Sequence, residues 1–129
     1  FTIPRRKKSL AFNGAVFVLV NGESFSAAAT MARYLKEYCG ATILGEETGT
    51  RYEGFATANL EAITLPVSGY SIGIPCGLSA FPDSKLQPTR NRGLLPDITL
   101  SPTVQEALVE KDGVLSRAQQ EIRLLLQKE

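Results

Sequence analysis

The sequence predicts an α/β domain with a parallel β-α-β core and helices at its C-terminal end. Three observations carry that reading. Gly14 to Val20 ("GAVFVLV") is a continuous apolar run rich in β-branched residues, the signature of a strand covered on both faces. From Ser24 the pattern changes to a helical period, and Ala41 to Leu44 ("ATIL") forms a second short apolar run. Two buried strands joined by one helix pair in parallel through a right-handed crossover.

Taken in order, residues 1–13 read as an irregular lead-in. Its basic cluster, Arg5–Arg6–Lys7–Lys8, is too short to be more than a solvated loop. Asn21–Gly22 breaks the first strand. The helix that follows is expected to bury Ala28, Met31, Ala32, Leu35 and Cys39, with Arg33, Lys36 and Glu37 off that face and Gly40 as its left-handed terminator. Residues 45–55 ("GEETGTRYEGF") read as a glycine-rich loop at the carboxyl end of the second strand. Residues 56–65 and 70–76 are extended segments joined as a hairpin through Pro66 and Ser68–Gly69. Residues 79–92 carry loop chemistry. "GLLPDITL", residues 93–100, is a turn into a short strand. A short helix follows Pro102–Thr103, and a longer one spans Val114 to about Gln127 with Val114, Ala118, Ile122 and Leu125 as its buried stripe. With only two clear parallel strands, such a sheet has uncovered edges, so further strands are expected on its N-terminal side.

Composition narrows the function. The 129 residues, 43% hydrophobic and 21% charged, make an ordinary globular chain with room for a single domain over 1–129. A net charge of +1 and the lack of a long basic stripe argue against a nucleic-acid partner. No segment approaches the about 20 apolar residues of a membrane span, and nothing resembles a signal peptide. The chain opens on Phe1, as a processed or excised piece would, so the missing leader leaves its compartment open. There is no histidine, and Cys39 and Cys76 have no CxxC spacing, so no metal site or cofactor is expected. Both cysteines read as small core residues.

Ser26 is the residue that raises a chemical question. It stands in the first turn of a helix that follows a buried strand, where backbone N–H groups are unpaired and the helix dipole favours negative charge. A serine hydroxyl there has an oxyanion site beside it, supplied in part by the Ala27 amide. The plainer reading makes Ser24 the N-cap and Ser26 an ordinary second residue of the helix. A serine nucleophile also needs a base. Without histidine the in-chain choices are Lys7, Lys8, Lys36, Lys85, Lys111 and Lys128, none placed by sequence next to Ser26. Glu46, Glu47 and Arg51 lie on the loop expected to face it, and arginine stays protonated.

Four segments in order resemble the C-terminal-processing (tail-specific) serine peptidases, a family related to the tricorn protease core. "VLVNGESFSAAATMA" is similar to their nucleophile segment, "ATILGEETGT" to the segment after it, and "GLLPDITL" to their G-[IV]-x-P-D-[IV] turn. "KDGVLSRAQQEIRLLL" resembles the family's last helix, and "TLPVSGYSIGIP" fits the stretch between. The resemblance implies a partial crotonase-like (ClpP/crotonase-type) α/β fold and makes this chain the C-terminal part of a peptidase domain. It implies Ser26 as nucleophile, the Ala27 amide as one half of the oxyanion hole, and a substrate cleft lined by Glu46, Thr48, Gly49 and Arg51. The second oxyanion amide comes in the family from a glycine-rich segment absent here.

The chain departs from the family pattern at the base. Arg51 stands where the Ser-Lys members carry lysine, and a position close to Arg90 where tricorn-like members carry glutamate. The histidine that the latter take from an upstream segment is also missing. The base is therefore expected outside this chain, ahead of altered catalysis or an inactive parent. The implied partner is a polypeptide substrate, together with the N-terminal complement or a second copy, and the implied location is extracytoplasmic. The rival reading is a non-catalytic ligand-binding module on the same fold.

Overall fold

A computed structural model describes residues 12–57, 59–81, 91–109 and 112–127. The basic cluster at 5–8, the lysines at 7, 8, 85, 111 and 128, and Arg90 lie outside the described residues. The chain is mixed α/β around a three-stranded parallel sheet. Strand β1 (Phe17–Val20) pairs in parallel with β2 (Thr42–Gly45), Leu19 opposite Leu44, and helix α1 (Ala27–Cys39) makes the crossover. Strand β7 (Ile98–Thr99) adds in parallel on the far side of β2, giving the order β1-β2-β7. The expected β-α-β unit and the strand after the Pro96–Asp97 turn are both present. Among the described residues no strand pairs with the outer edge of β1.

Alternation along β2 assigns the two faces of this sheet. Ile43 and Leu44 are fully buried, and neighbouring strand residues point to opposite faces. Ile43 packs with Val20, Ala32 of α1, Ala41, Tyr52 and Leu94 in one cluster. Leu44 belongs to the other face, with Leu19 beside it in register. Helix α3 (Gly113–Leu126) packs on β1 and β2 and buries Ala118 completely. Burial of each large aliphatic side chain contributes about 1.5–3 kcal/mol, so Ile43 and Leu44 are anchors of the two layers. Val114, Ile122 and Leu125 are half-buried along the same helix, as their spacing predicts.

Helix α1 ends at Gly40, in the left-handed region at φ 68°, and Ala41 N–H closes on Leu35 O at 3.1 Å. Only glycine adopts that backbone without strain, so the predicted terminator holds. The predicted buried face of α1 holds only at Ala32, which is buried, and Leu35, which packs against the core. Ala28, Met31 and Cys39 are exposed, and the helix buries Ala29, Ala32 and Arg33. The small Ala29 and Ala32 let the helix lie close to the sheet, and that rotation carries Arg33 inward. Arg33 survives burial because the Glu37 carboxylate accepts from Nε and Nη2 at 3.1 and 3.2 Å. The faces of Tyr52 and Phe81 lie within 4.8 Å of its guanidinium, a favourable environment for a cation.

The remaining strands form two small antiparallel pairs. Strands β4 (Leu60–Thr64) and β5 (Ser71–Pro75) make the predicted hairpin, with every residue exposed. Strands β3 (Gly54–Ala56) and β6 (Leu78–Ala80) pair, where loop was expected at 54–55 and 79–80. Helix α2 (Val104–Leu108) starts with a capping box, Thr103 and Glu106 each bonding the other's backbone N–H. The expectation that the cysteines are core residues is also overturned: Cys39 and Cys76 are exposed and free.

Candidate active site

The turn between β1 and α1 places Ser26. Asn21 O accepts from Ser24 N–H at 2.9 Å, and Ser24 Oγ accepts from Asn21 N–H at 3.1 Å. The chain is thus pinched before it reaches the helix. Ser24 is not the N-cap; Ser26 is, and it makes no side-chain capping bond. Its backbone sits at φ 50°, ψ −117°, a region that a residue with a Cβ enters at a cost of about 1–3 kcal/mol. The hydroxyl is exposed and makes no hydrogen bond among the described residues, while Ala27 begins the helix beside it with its amide likewise unpaired. Ser26 thus stands on a strained strand-to-helix turn, its hydroxyl without a partner among the described residues and a first-turn amide next to it.

What maintains the strain comes from the loop after β2. Thr50 Oγ1 accepts the hydrogen bond from Ser26 N–H at 2.7 Å. Gly49 makes the close approach possible: a Cβ there would stand 2.2 Å from Gly22 O and 2.5 Å from the Phe25 ring. Thr48 lies underneath, 3% exposed, its hydroxyl accepting from Leu94 N–H at 2.9 Å and donating to Thr50 O at 3.2 Å. Glu46 closes the end of β2, its N–H bonded to Val20 O at 2.9 Å, with its half-buried side chain on a cavity shared with Asn21 and Ser24. Arg51 is exposed. Its guanidinium bonds Asn91 Oδ1 and lies 3.8 Å from the Glu53 carboxylate. Thr48, Gly49 and Glu46 thus gather around the Ser26 turn, and Arg51 is occupied with Asn91.

Two ties missed by sequence reasoning hold residues 92–97, one to this loop and one to α1 and β2. Glu47 takes Arg92 in a two-pronged ion pair and accepts from Gly93 N–H at 2.7 Å. The Arg92 guanidinium and the Gly93 amide hold its carboxyl at about 2, below the ordinary 4.5. Asp97, from the Pro-Asp turn, accepts from Lys36 Nζ at 2.7 Å and from Ile43 N–H at 2.9 Å. Lys36 is the sole lysine among the described residues, and it is committed to Asp97 and Leu95 O. No group of metal-ligating side chains is present among the described residues, and no helix there is long and apolar enough to cross a membrane.

Fold and site together define an α/β protein built to present a serine at a helix start. The family model of peptidase family S41 matches residues 2–100, and the chain belongs to that family, the C-terminal-processing serine peptidases. No curated protein matches the chain.

Proposed function

We propose that this chain is the nucleophile-bearing, C-terminal part of a serine endopeptidase domain. Ser26 attacks the scissile carbonyl of a polypeptide, the Ala27 amide stabilises the oxyanion, and the base comes from outside the described residues. The observation that carries this reading is the backbone of Ser26, held at positive φ with an unbonded hydroxyl where a capping serine would bond its own helix. Membership of a serine peptidase family supports it.

Within this reading Glu46 and Gly49 line the substrate cleft, Thr48 supports it from below, and Arg51 binds a substrate carboxylate or carbonyl when it leaves Asn91. The edge of β1, unpaired among the described residues, is where the upstream strands of a crotonase-like sheet add, from the N-terminal complement or another copy. This reading includes an extracytoplasmic location and tail-specific cleavage, with family membership as its support. The lack of a base near Ser26 among the described residues favours one other reading, a ligand-binding module that does not cut.

Fluorophosphonate labelling of the intact protein separates the two. Labelling of the wild type and none of Ser26→Ala is the expected result. A well-folded protein that takes no label would reject the peptidase and leave the binder.

A further inference from the structure

On the α3 side of the sheet a cavity of about 500 Å³ opens at the carboxyl ends of the parallel strands, the size range of small-molecule sites and the position where open α/β sheets take ligands. Its apolar side is made by Leu19 from β1, Leu100 just past β7, Pro102, Ala107 of α2 and Val114 of α3. Asn21 and Ser24 line another side, and Ser24 stands two residues before Ser26 in the chain.

Three carboxylates border this space, and two are already satisfied. Glu106 is paired with Arg117 and bonded by Thr103 N–H, and Asp112 Oδ1 caps α3 through Leu115 N–H. Glu46 is different: on this half-buried residue the carboxylate has no hydrogen bond or ion pair among the described residues, and no basic side chain is among the described residues lining the cavity. An unpaired anion bordering a cavity with an apolar side is stabilised by a ligand that brings a cation on an apolar stem.

We propose that this cavity is a subsite for an aliphatic cation, in a polypeptide the side chain of lysine or arginine, with Glu46 binding its charge. The stem covers Leu19, Leu100 and Val114 while the head stays near water, as long basic side chains do. The proposal rests on the peptidase reading for calling the ligand part of a polypeptide; the cavity and its unpaired carboxylate stand without it.

The test is a chemical-shift titration of the full chain carrying Ser26→Ala with Nα-acetyl-lysine methylamide and with the norleucine analogue, which has the stem without the ammonium. The lysine compound is expected to bind about tenfold tighter or more, as a charge-assisted bond provides, with shifts at Leu19, Leu100 and Val114. Glu46→Gln is expected to abolish the preference while leaving norleucine binding unchanged. Equal affinities, a preference that persists in Glu46→Gln, or no shifts at the cavity would overturn the proposal. Lysine binding by a protein whose wild type takes no fluorophosphonate would reject the peptidase and keep the subsite.

Discussion

Thr50→Val tests whether the Ser26 backbone is held from outside its own helix. Valine keeps the volume and branching of threonine and removes the acceptor of the 2.7 Å bond from Ser26 N–H. An unsatisfied buried donor costs about 1–3 kcal/mol. Thr50 is 8% exposed but Ser26 reaches solvent, so water recovers part of that and about 1–2 kcal/mol is expected. At about 2.1 cal/mol/K per residue, a chain this long loses about 4–7 °C of melting temperature for that change. Thermal unfolding by circular dichroism measures it. Freed of the Thr50 hydroxyl, Ser26 can relax out of positive φ, and fluorophosphonate labelling is expected to slow about tenfold, equivalent to about 1.4 kcal/mol. Thr50→Ser, which keeps the hydroxyl, should restore most of both. A Thr50→Val protein that melts and labels like the wild type would refute the reasoning, as would a Thr50→Ser protein equally impaired.

Two further outcomes follow from the ion pairs. Glu47 and Glu106 are each held at about 2, below the ordinary 4.5, chiefly by hydrogen bonds from Arg92 and Arg117 respectively. Because both are depressed in the folded state, their stabilisation is fully present above about pH 4.5 and is lost as pH falls towards 2. Carboxyl NMR titration should find both low, and Arg92→Gln should return Glu47 towards 4.5. Arg33→Met removes the Arg33 cation from the Glu37 carboxylate, whose side chain is fully buried and also accepts from the Tyr52 hydroxyl; removing one partner of such a pair costs about 3–5 kcal/mol. Urea unfolding should show that loss, and Arg33→Met with Glu37→Leu should regain most of it.

Which features the sequence disclosed follows from how local they are. The β-α-β unit, the Gly40 terminator and the β4–β5 hairpin are written in periodicity and turn residues within a few positions of each other. Serine at the helix start was legible too, but its conformation was not. The cap moves from Ser24 to Ser26 because of Thr50, 24 residues further on, and no local preference records that bond. Arg33 reads as a solvent-facing charge from spacing alone. Its burial depends on Tyr52 and Phe81, which are brought to it by loops. The Glu47–Arg92 clasp spans 45 residues, and the three-residue β3 and β6 are too short to show a period.

The β4–β5 hairpin has a consequence of its own. Its strands pair with each other, pack extensively on no other element among the described residues, and end in a turn where Val67 is completely exposed. An isolated two-stranded ribbon is marginally stable in water, so this ribbon opens at far lower free energy than the parallel sheet. Its amides exchange first, and a protease admitted in small amounts cuts at the Val67 turn before anywhere in the sheet. The Ser26–Thr50 bond then lies within the N-terminal piece, and the Glu47–Arg92 clasp joins that piece to the C-terminal one.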